Sequence, residues 1–432
     1  MGDEKSTTTA TSAEVELAEA TRFQRDLYLY WREVQLANGL PLTTRGYLTR
    51  SALRRILQRL ASADGAHDAA SAQERAETDH LRLFFLRRLL QRMNLLHTAP
   101  DAAKLLAADS ASMARYLAHP LAERLRICAR LWVAGGWWPD APDPHAPLPR
   151  LMSPAPPRLA LARRRLLEQL ARVTGATNDA PAPLSALAAN RRAAGVAKSV
   201  PARSASPRRR VAQAGREDEI WLAALSGPLL WMGFVQQQTH QDDAGATMPA
   251  FQGYTATSAT YALRDAEDEA TRTKLAETPG RVIVQPNFEV IALPPLTAPI
   301  LWLLDSCAEG TLDQTARYRL TRQTVAAAYR QGWSAATLSA QLEAVTTAPL
   351  PANVRITLDD WERHVERVRL LRDVQLLEVR EAALLDTLLA DRALASLVER
   401  RLTPTAALLA PDALPRVRSW LLRQGELPAL IQ

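Results

Sequence analysis

The chain has 432 residues, too many for one ordinary core, so two to three domains are expected. Apolar residues make up 47% and glycine only 17 positions, a balance that favours helices with short strands and excludes a disordered chain. The net charge of +7 keeps polyanions in view as partners, while two distant cysteines, Cys128 and Cys307, exclude a disulfide framework and a cysteine metal site.

No apolar run approaches the roughly 20 residues needed to span a bilayer. The start, MGDEKSTTTATSAEVE, is polar and acidic, without a basic-then-apolar leader. The expectation is a cytoplasmic protein with both cysteines as buried free thiols. Arginine greatly outnumbers lysine, which stands only at Lys5, Lys104, Lys198 and Lys274.

Residues 1–13 are predicted as a disordered tail. A helix follows from about Glu14 to Asn38, with Phe23, Leu27, Tyr30, Trp31 and Val34 on one stripe, stopped by Asn38-Gly39 and Pro41. After a short alternating stretch, a helix over 51–60 is expected to be capped by Ser51. Leu53, Ile56, Leu57 and Leu60 would face inward and Arg54, Arg55, Gln58 and Arg59 outward. Further helices are predicted at about Thr78–Asn94, Ser110–Ala118 and Leu121–Ala134, the last ending in Gly135-Gly136. Units of this size fit a winged helix or a plain helical bundle equally.

Pro139–Pro157 reads as a stiff connector. An arginine-rich helix is expected over Arg158–Val173, a second helix over Pro183–Ala194, and a flexible basic loop over 195–215. Order should return at Glu217 with a helix, a Gly227-Pro228 break, and a short apolar helix or strand. Tyr254–Leu263 alternates weakly, like the strand of a wing. From Gly280, strands are predicted at Val282–Val284 and Glu289–Leu293, and a helix opens at Thr297. Helices at Thr321–Gln331 and after the Ser334 cap follow. Val365–Val379 reads as a hairpin or as a helix continuing from Trp361. Helices at Ala382–Ala390 and Pro411–Gln424 close the chain. The expected class is mainly α with short strands (α+β), with a helical or winged-helix-like domain at 14–138, a second such unit at 158–279, and an α/β domain at 280–432.

Several segments in the last third occur in a telling order. They are VIVQPNFEVIAL, YRLTRQTVAAAYRQG with SAATLSAQLEAVTTAPLPANV, a tryptophan after LDD, and RLTPTAALLAPDALPRVRSWLLRQG. In that order and spacing, Gly280–Leu430 resembles the accessory N-terminal domain of XPB-type DNA helicases. LTTRGYLTRSALRRI, HLRLFFLRRLLQRMNLL and GPLLWMGFV look like the winged-helix regions that precede this domain in bacterial helicase-associated proteins. The resemblance implies contact with DNA or with a helicase or nuclease partner. It departs from the helicases in one respect: a phosphate-cradling loop needs Gly-Lys-Ser/Thr. Only Lys198 precedes Ser or Thr, and Ala197 stands where the glycine belongs. ATP hydrolysis is therefore not expected, and neither is a cofactor.

The charge is uneven. Residues 141–215 carry 13 basic against 3 acidic side chains, whereas 281–432 carry 17 of each. Phosphate contacts are expected from Arg50, Arg54, Arg55 and Arg59 on the first short helix. Arg163, Arg164, Arg165, Arg191, Arg192, Arg208, Arg209 and Arg210 would add counterion-release free energy. The tryptophans read as packing anchors. Scattered histidines give no metal-ligand spacing, and no nucleophile elbow or dinucleotide loop occurs, so no catalytic or metal residue is assigned. The leading expectation is a non-catalytic DNA-associated accessory. The alternatives are a protein–protein scaffold without DNA binding and a winged-helix transcription regulator.

Overall fold

Helix α1 (Ser12–Leu36) is the spine of the larger part of the molecule. In a computed structural model, the residues described are 12–63, 76–99, 104–138, 149–176, 219–238, 253–264, 275–277, 281–312, 316–365, 374–410 and 413–429. Residues 1–11 of the predicted tail, the 183–194 helix and the basic loop lie outside them, while Ser12 and Ala13, predicted in the tail, belong to α1. The chain divides into two compact units, 1–362 and 363–432. That division does not coincide with the breaks at 138 and 280 read from sequence. Its physical reason is that α1 shares a core with residues beyond 280.

The apolar stripe of α1 is buried as expected, with Phe23, Leu27, Tyr30, Trp31 and Val34 all at 0% exposure. Burial nevertheless continues around the helix and encloses Gln24, Asp26, Arg32 and Glu33. An enclosed helix must satisfy its polar groups internally. Asp26 pairs with Arg25 and Arg82 at 3.0 and 2.8 Å, and Gln24 accepts from the Tyr116 hydroxyl at 2.7 Å. Asn38 (φ 51°) and Gly39 (φ 105°) turn the chain out of the helix. A Cβ at Gly39 would lie 2.7 Å from Leu105, so glycine is required there by both conformation and space.

Around α1 stand α2 (Arg50–Ala63), α3 (Leu81–Arg92) and a three-stranded antiparallel sheet. Its strands β1 (Leu40–Pro41), β2 (Leu96–Thr98) and β3 (Leu105–Ala108) lie in the order β1-β3-β2. Thr49, not Ser51, caps α2: its hydroxyl oxygen accepts from the Ala52 amide at 3.4 Å. The helix therefore starts a residue earlier than the sequence reading placed it. α3 is buried without a break from Leu83 to Gln91. Helices α4 (Ser110–Leu117), α5 (Leu121–Ala134) and α6 (Pro157–Ala176) follow. Phe85, Trp137, Trp138 and Trp231 interlock at ring separations of 5.1 to 6.5 Å, so these tryptophans are core anchors.

A helical segment at 219–225 leads to α7 (Pro228–Trp231) and a hairpin of β4 (Val235–Gln238) and β5 (Gly253–Ala256). The strand expected through Leu263 stops at Ala256, because the Thr257 side chain caps a 3-10 turn over Ser258–Leu263. Four antiparallel strands come next: β6 (Val282–Val284), β7 (Glu289–Ala292), β8 (Glu309–Leu312) and β9 (Ala316–Arg319), in the order β6-β7-β9-β8. Helix α8 (Ala298–Cys307) joins β7 to β8 and packs on α1. Then come α9 (Arg322–Arg330), α10 (Ala335–Val345) and α11 (Ala352–His364), with Thr321 and Ser334 as the caps of the first two.

The smaller unit holds β10 (Leu376–Glu378), α12 (Ala382–Ala390), α13 (Arg392–Ala395), β11 (Val398–Thr403), β12 (Ala406–Leu409) and α14 (Leu414–Arg423). β10 pairs with β12, and the sheet order is β10-β12-β11; residues 366–373 of the predicted Val365–Val379 hairpin lie outside the described residues. Leu388, Leu394, Leu409, Ala413, Val417 and Leu421 form its core. Both three-stranded sheets thus place two helices between the first and second strands and the third strand in the centre.

Candidate nucleic-acid interface

The four arginines expected to reach phosphate from α2 divide into two pairs. Arg55 and Arg59 both bind Glu33 on α1, Arg59 Nε at 3.1 Å. Glu33 is 4% exposed, so these guanidinium groups neutralise a buried carboxylate and fix α2 to the spine. Arg50 and Arg54 are exposed and have no partner among the described residues.

On α6 the three consecutive arginines also part company. Arg163 is 0% exposed. Its Nη1 donates to the carbonyls of Trp132 and Gly135 at 2.8 and 3.0 Å, and its Nη2 to that of Trp138 at 2.7 Å. The guanidinium lies 4.8 Å from the Trp132 ring centre. It closes the C-terminal end of α5, where orphan carbonyls and the helix dipole favour a cation. Arg163 therefore contacts no phosphate; burial spends it on the fold. Arg164 and Arg165 face solvent. Arg191, Arg192, Arg208, Arg209 and Arg210 lie outside the described residues.

Arg164 joins Arg126 and Arg130 of α5 around a groove of about 450 Å³ floored by Ala129, Val133 and Leu167. The sequence reading missed Arg126 and Arg130, although their four-residue spacing on a predicted helix places them on one face. Arg126 is already occupied: it pairs with Glu123 and donates to the Ala262 carbonyl at 3.1 Å. Arg130 sits 4.0 Å from Glu123 and is largely exposed. The groove thus offers an apolar floor with the exposed Arg130, Arg164 and Glu168 around it.

A second polar cluster ties α1 to the region beyond residue 280. Asp305 on α8 accepts from the Tyr28 hydroxyl at 2.6 Å, from Arg32 Nη2 at 2.7 Å and from the Tyr318 hydroxyl at 3.0 Å. Burial first, and the Asp305 charge second, push the Tyr28 and Tyr318 hydroxyls up, so both stay protonated donors. Burial likewise raises the Cys128 thiol to about 11 and the Cys307 thiol to about 12. At neutral pH neither is a thiolate nucleophile. These groups hold the fold, whereas Arg50, Arg54, Arg130 and Arg164 are exposed among the described residues.

Residues 282–403 match the family described as a helicase conserved C-terminal domain. The match covers well under half of the chain, beginning with β6 and ending within the β11–β12 hairpin. It shows a helicase-related domain. No curated protein matches the chain. Among the described residues, no helix is long and apolar enough to cross a membrane.

Proposed function

We propose that this chain is a non-catalytic, DNA-associated accessory that contacts duplex DNA through its phosphates and docks a helicase or nuclease partner. The observation that carries the reading is the helicase-related stretch at 282–403 in a sequence whose lysines build no Gly-Lys-Ser/Thr phosphate loop. The segments quoted above liken this stretch to the accessory domain of XPB-type helicases. The sheet order β1-β3-β2, with two helices between its first two strands, supports the winged-helix reading of this part. Arg50, Arg54 and Arg164 supply open guanidinium groups, and the excess of basic residues over 141–215 would add attraction without fixed geometry.

The test is the salt dependence of duplex binding by the purified chain. Each phosphate contact contributes a log–log slope of about −0.9, so several contacts make affinity fall steeply between 50 and 200 mM salt. Replacing Arg208, Arg209 and Arg210 by serine, together with Arg50 and Arg54, should flatten that slope. Absence of binding at 50 mM salt, or nucleotide hydrolysis by the chain alone, would refute the reading. The α5–α6 groove favours a second reading, a protein scaffold, because its apolar floor suits a side-chain anchor better than a phosphate.

A further inference from the structure

We propose that the smaller unit carries its own nucleic-acid site, a groove between α13 and α14 that holds one phosphodiester strand along α14. This rests on the DNA-associated reading above and names the surface that serves it. The two three-stranded modules share a strand order, yet they dispose of their second helix in opposite ways. In the larger unit that helix is α3, sealed from Leu83 to Gln91 under aromatic side chains, so it reaches no groove of DNA. In the smaller unit the corresponding helix is α13, whose Arg392, Ala393, Ala395 and the following Ser396 are all exposed.

Beside α13 lies a groove of about 530 Å³. Arg416 and Arg423 of α14 stand on its wall with Ser419 between them, and Leu397 and Trp420 line its base. Positions 416, 419 and 423 recur at i, i+3 and i+7, which places them on one helix face. At 1.5 Å rise per residue the two arginines are about 10 Å apart along the axis. Stacked nucleotides advance about 3.4 Å each, so this interval matches three steps of one strand.

The charges of the unit support an anionic strand. No acidic side chain lines the groove. Asp386 pairs with Arg401 at 2.5 Å. Asp391 caps the Ala393 amide and accepts from the Trp420 indole at 3.1 Å, which fixes the floor of the groove. Arg392, Arg416, Arg418 and Arg423 have no hydrogen-bond or ion-pair partner among the described residues. The Ser396 and Ser419 hydroxyls already donate to the carbonyls of Ala393 and Pro415, so the guanidinium groups are the available donors. Its apolar lining, Ala393, Leu397, Pro415 and Trp420, is shallow and shares the groove with two arginines, so the groove lacks the buried centre that a protein helix would need.

The experiment measures binding of the full chain to a mixed-sequence 20-base-pair duplex by fluorescence anisotropy, from 50 to 200 mM salt. Arg416→Ser with Arg423→Ser should weaken binding about tenfold at low salt and reduce the magnitude of the log–log slope by about 1.8, two contacts' worth. The charge-matched control, Arg322→Ser with Arg330→Ser, should shift affinity less than about twofold. Arg416→Lys with Arg423→Lys should keep the slope, since a backbone contact needs the charge and not the fork. If the wild-type chain binds duplex and the serine variant binds with unchanged slope, the groove proposal fails while the DNA-associated reading stands. If the wild-type chain does not bind at 50 mM salt, both fail. Stronger binding of a poly-glutamate peptide than of DNA at equal salt would overturn the assignment to a phosphodiester strand.

Discussion

Glu77 is 2% exposed and takes a two-pronged contact from Arg87, Nε at 2.6 Å and Nη2 at 3.0 Å, together with the Leu48 amide at 2.8 Å. Such a pair offsets its own desolvation only while both partners are present. Glu77→Ala should therefore destabilise the larger unit by about 3–5 kcal/mol, and Glu77→Leu combined with Arg87→Met by less. Guanidinium denaturation monitored by tryptophan fluorescence checks both. The cysteines give a second expectation at this scale. Because burial raises both thiols in the folded state, their contribution to stability is full below the ordinary cysteine value. It is lost as pH rises through about 11 for Cys128 and about 12 for Cys307. At pH 8, an aromatic disulfide reagent should leave both untouched in the native chain and label both after unfolding. Labelling of the native chain would contradict the buried setting of these residues.

Helix α2 shows how an arginine face divides between structure and solvent. Its period placed Leu53, Ile56, Leu57 and Leu60 inward; the first two are buried and the last two half-buried. Period alone also put Arg55 and Arg59 outward, yet they reach the edge of the buried face and meet Glu33. Arg55→Ala with Arg59→Ala leaves that carboxylate buried without a cation, and should cost about 3 kcal/mol of stability. Arg50→Ser with Arg54→Ser should move the denaturation midpoint by less than about 0.5 kcal/mol, because neither side chain holds another residue. An equal loss of stability in the two variants would show that the α2 pairs are not distinguished as the structure has them.

At the scale of the molecule, two units with separate cores should respond separately to damage. Leu394 is 0% exposed in the core of the smaller unit. Leu394→Ala should remove about 2–5 kcal/mol there. Hydrogen exchange should report faster opening of amides within 374–426 and unchanged protection in α1 and α3. A uniform rise across the chain would mean that the units unfold as one.

The sequence by itself determined most of the element list. Helix starts at Thr321 and Ser334, the stop at Asn38-Gly39, and the apolar periods of α1 and α2 follow from interactions within a turn or two of helix. It also carried the helicase-related character of the last third. Tertiary structure decided which charges are available. Arg163 and Arg164 are adjacent and chemically identical, yet one is sealed over the end of α5 and the other is open to solvent. Asp305, near the start of the helicase-related stretch, is bound by Tyr28 and Arg32 from the first helix of the chain. Local pattern records a residue's face on its own helix, whereas the fate of a charge depends on what distant segment closes over it.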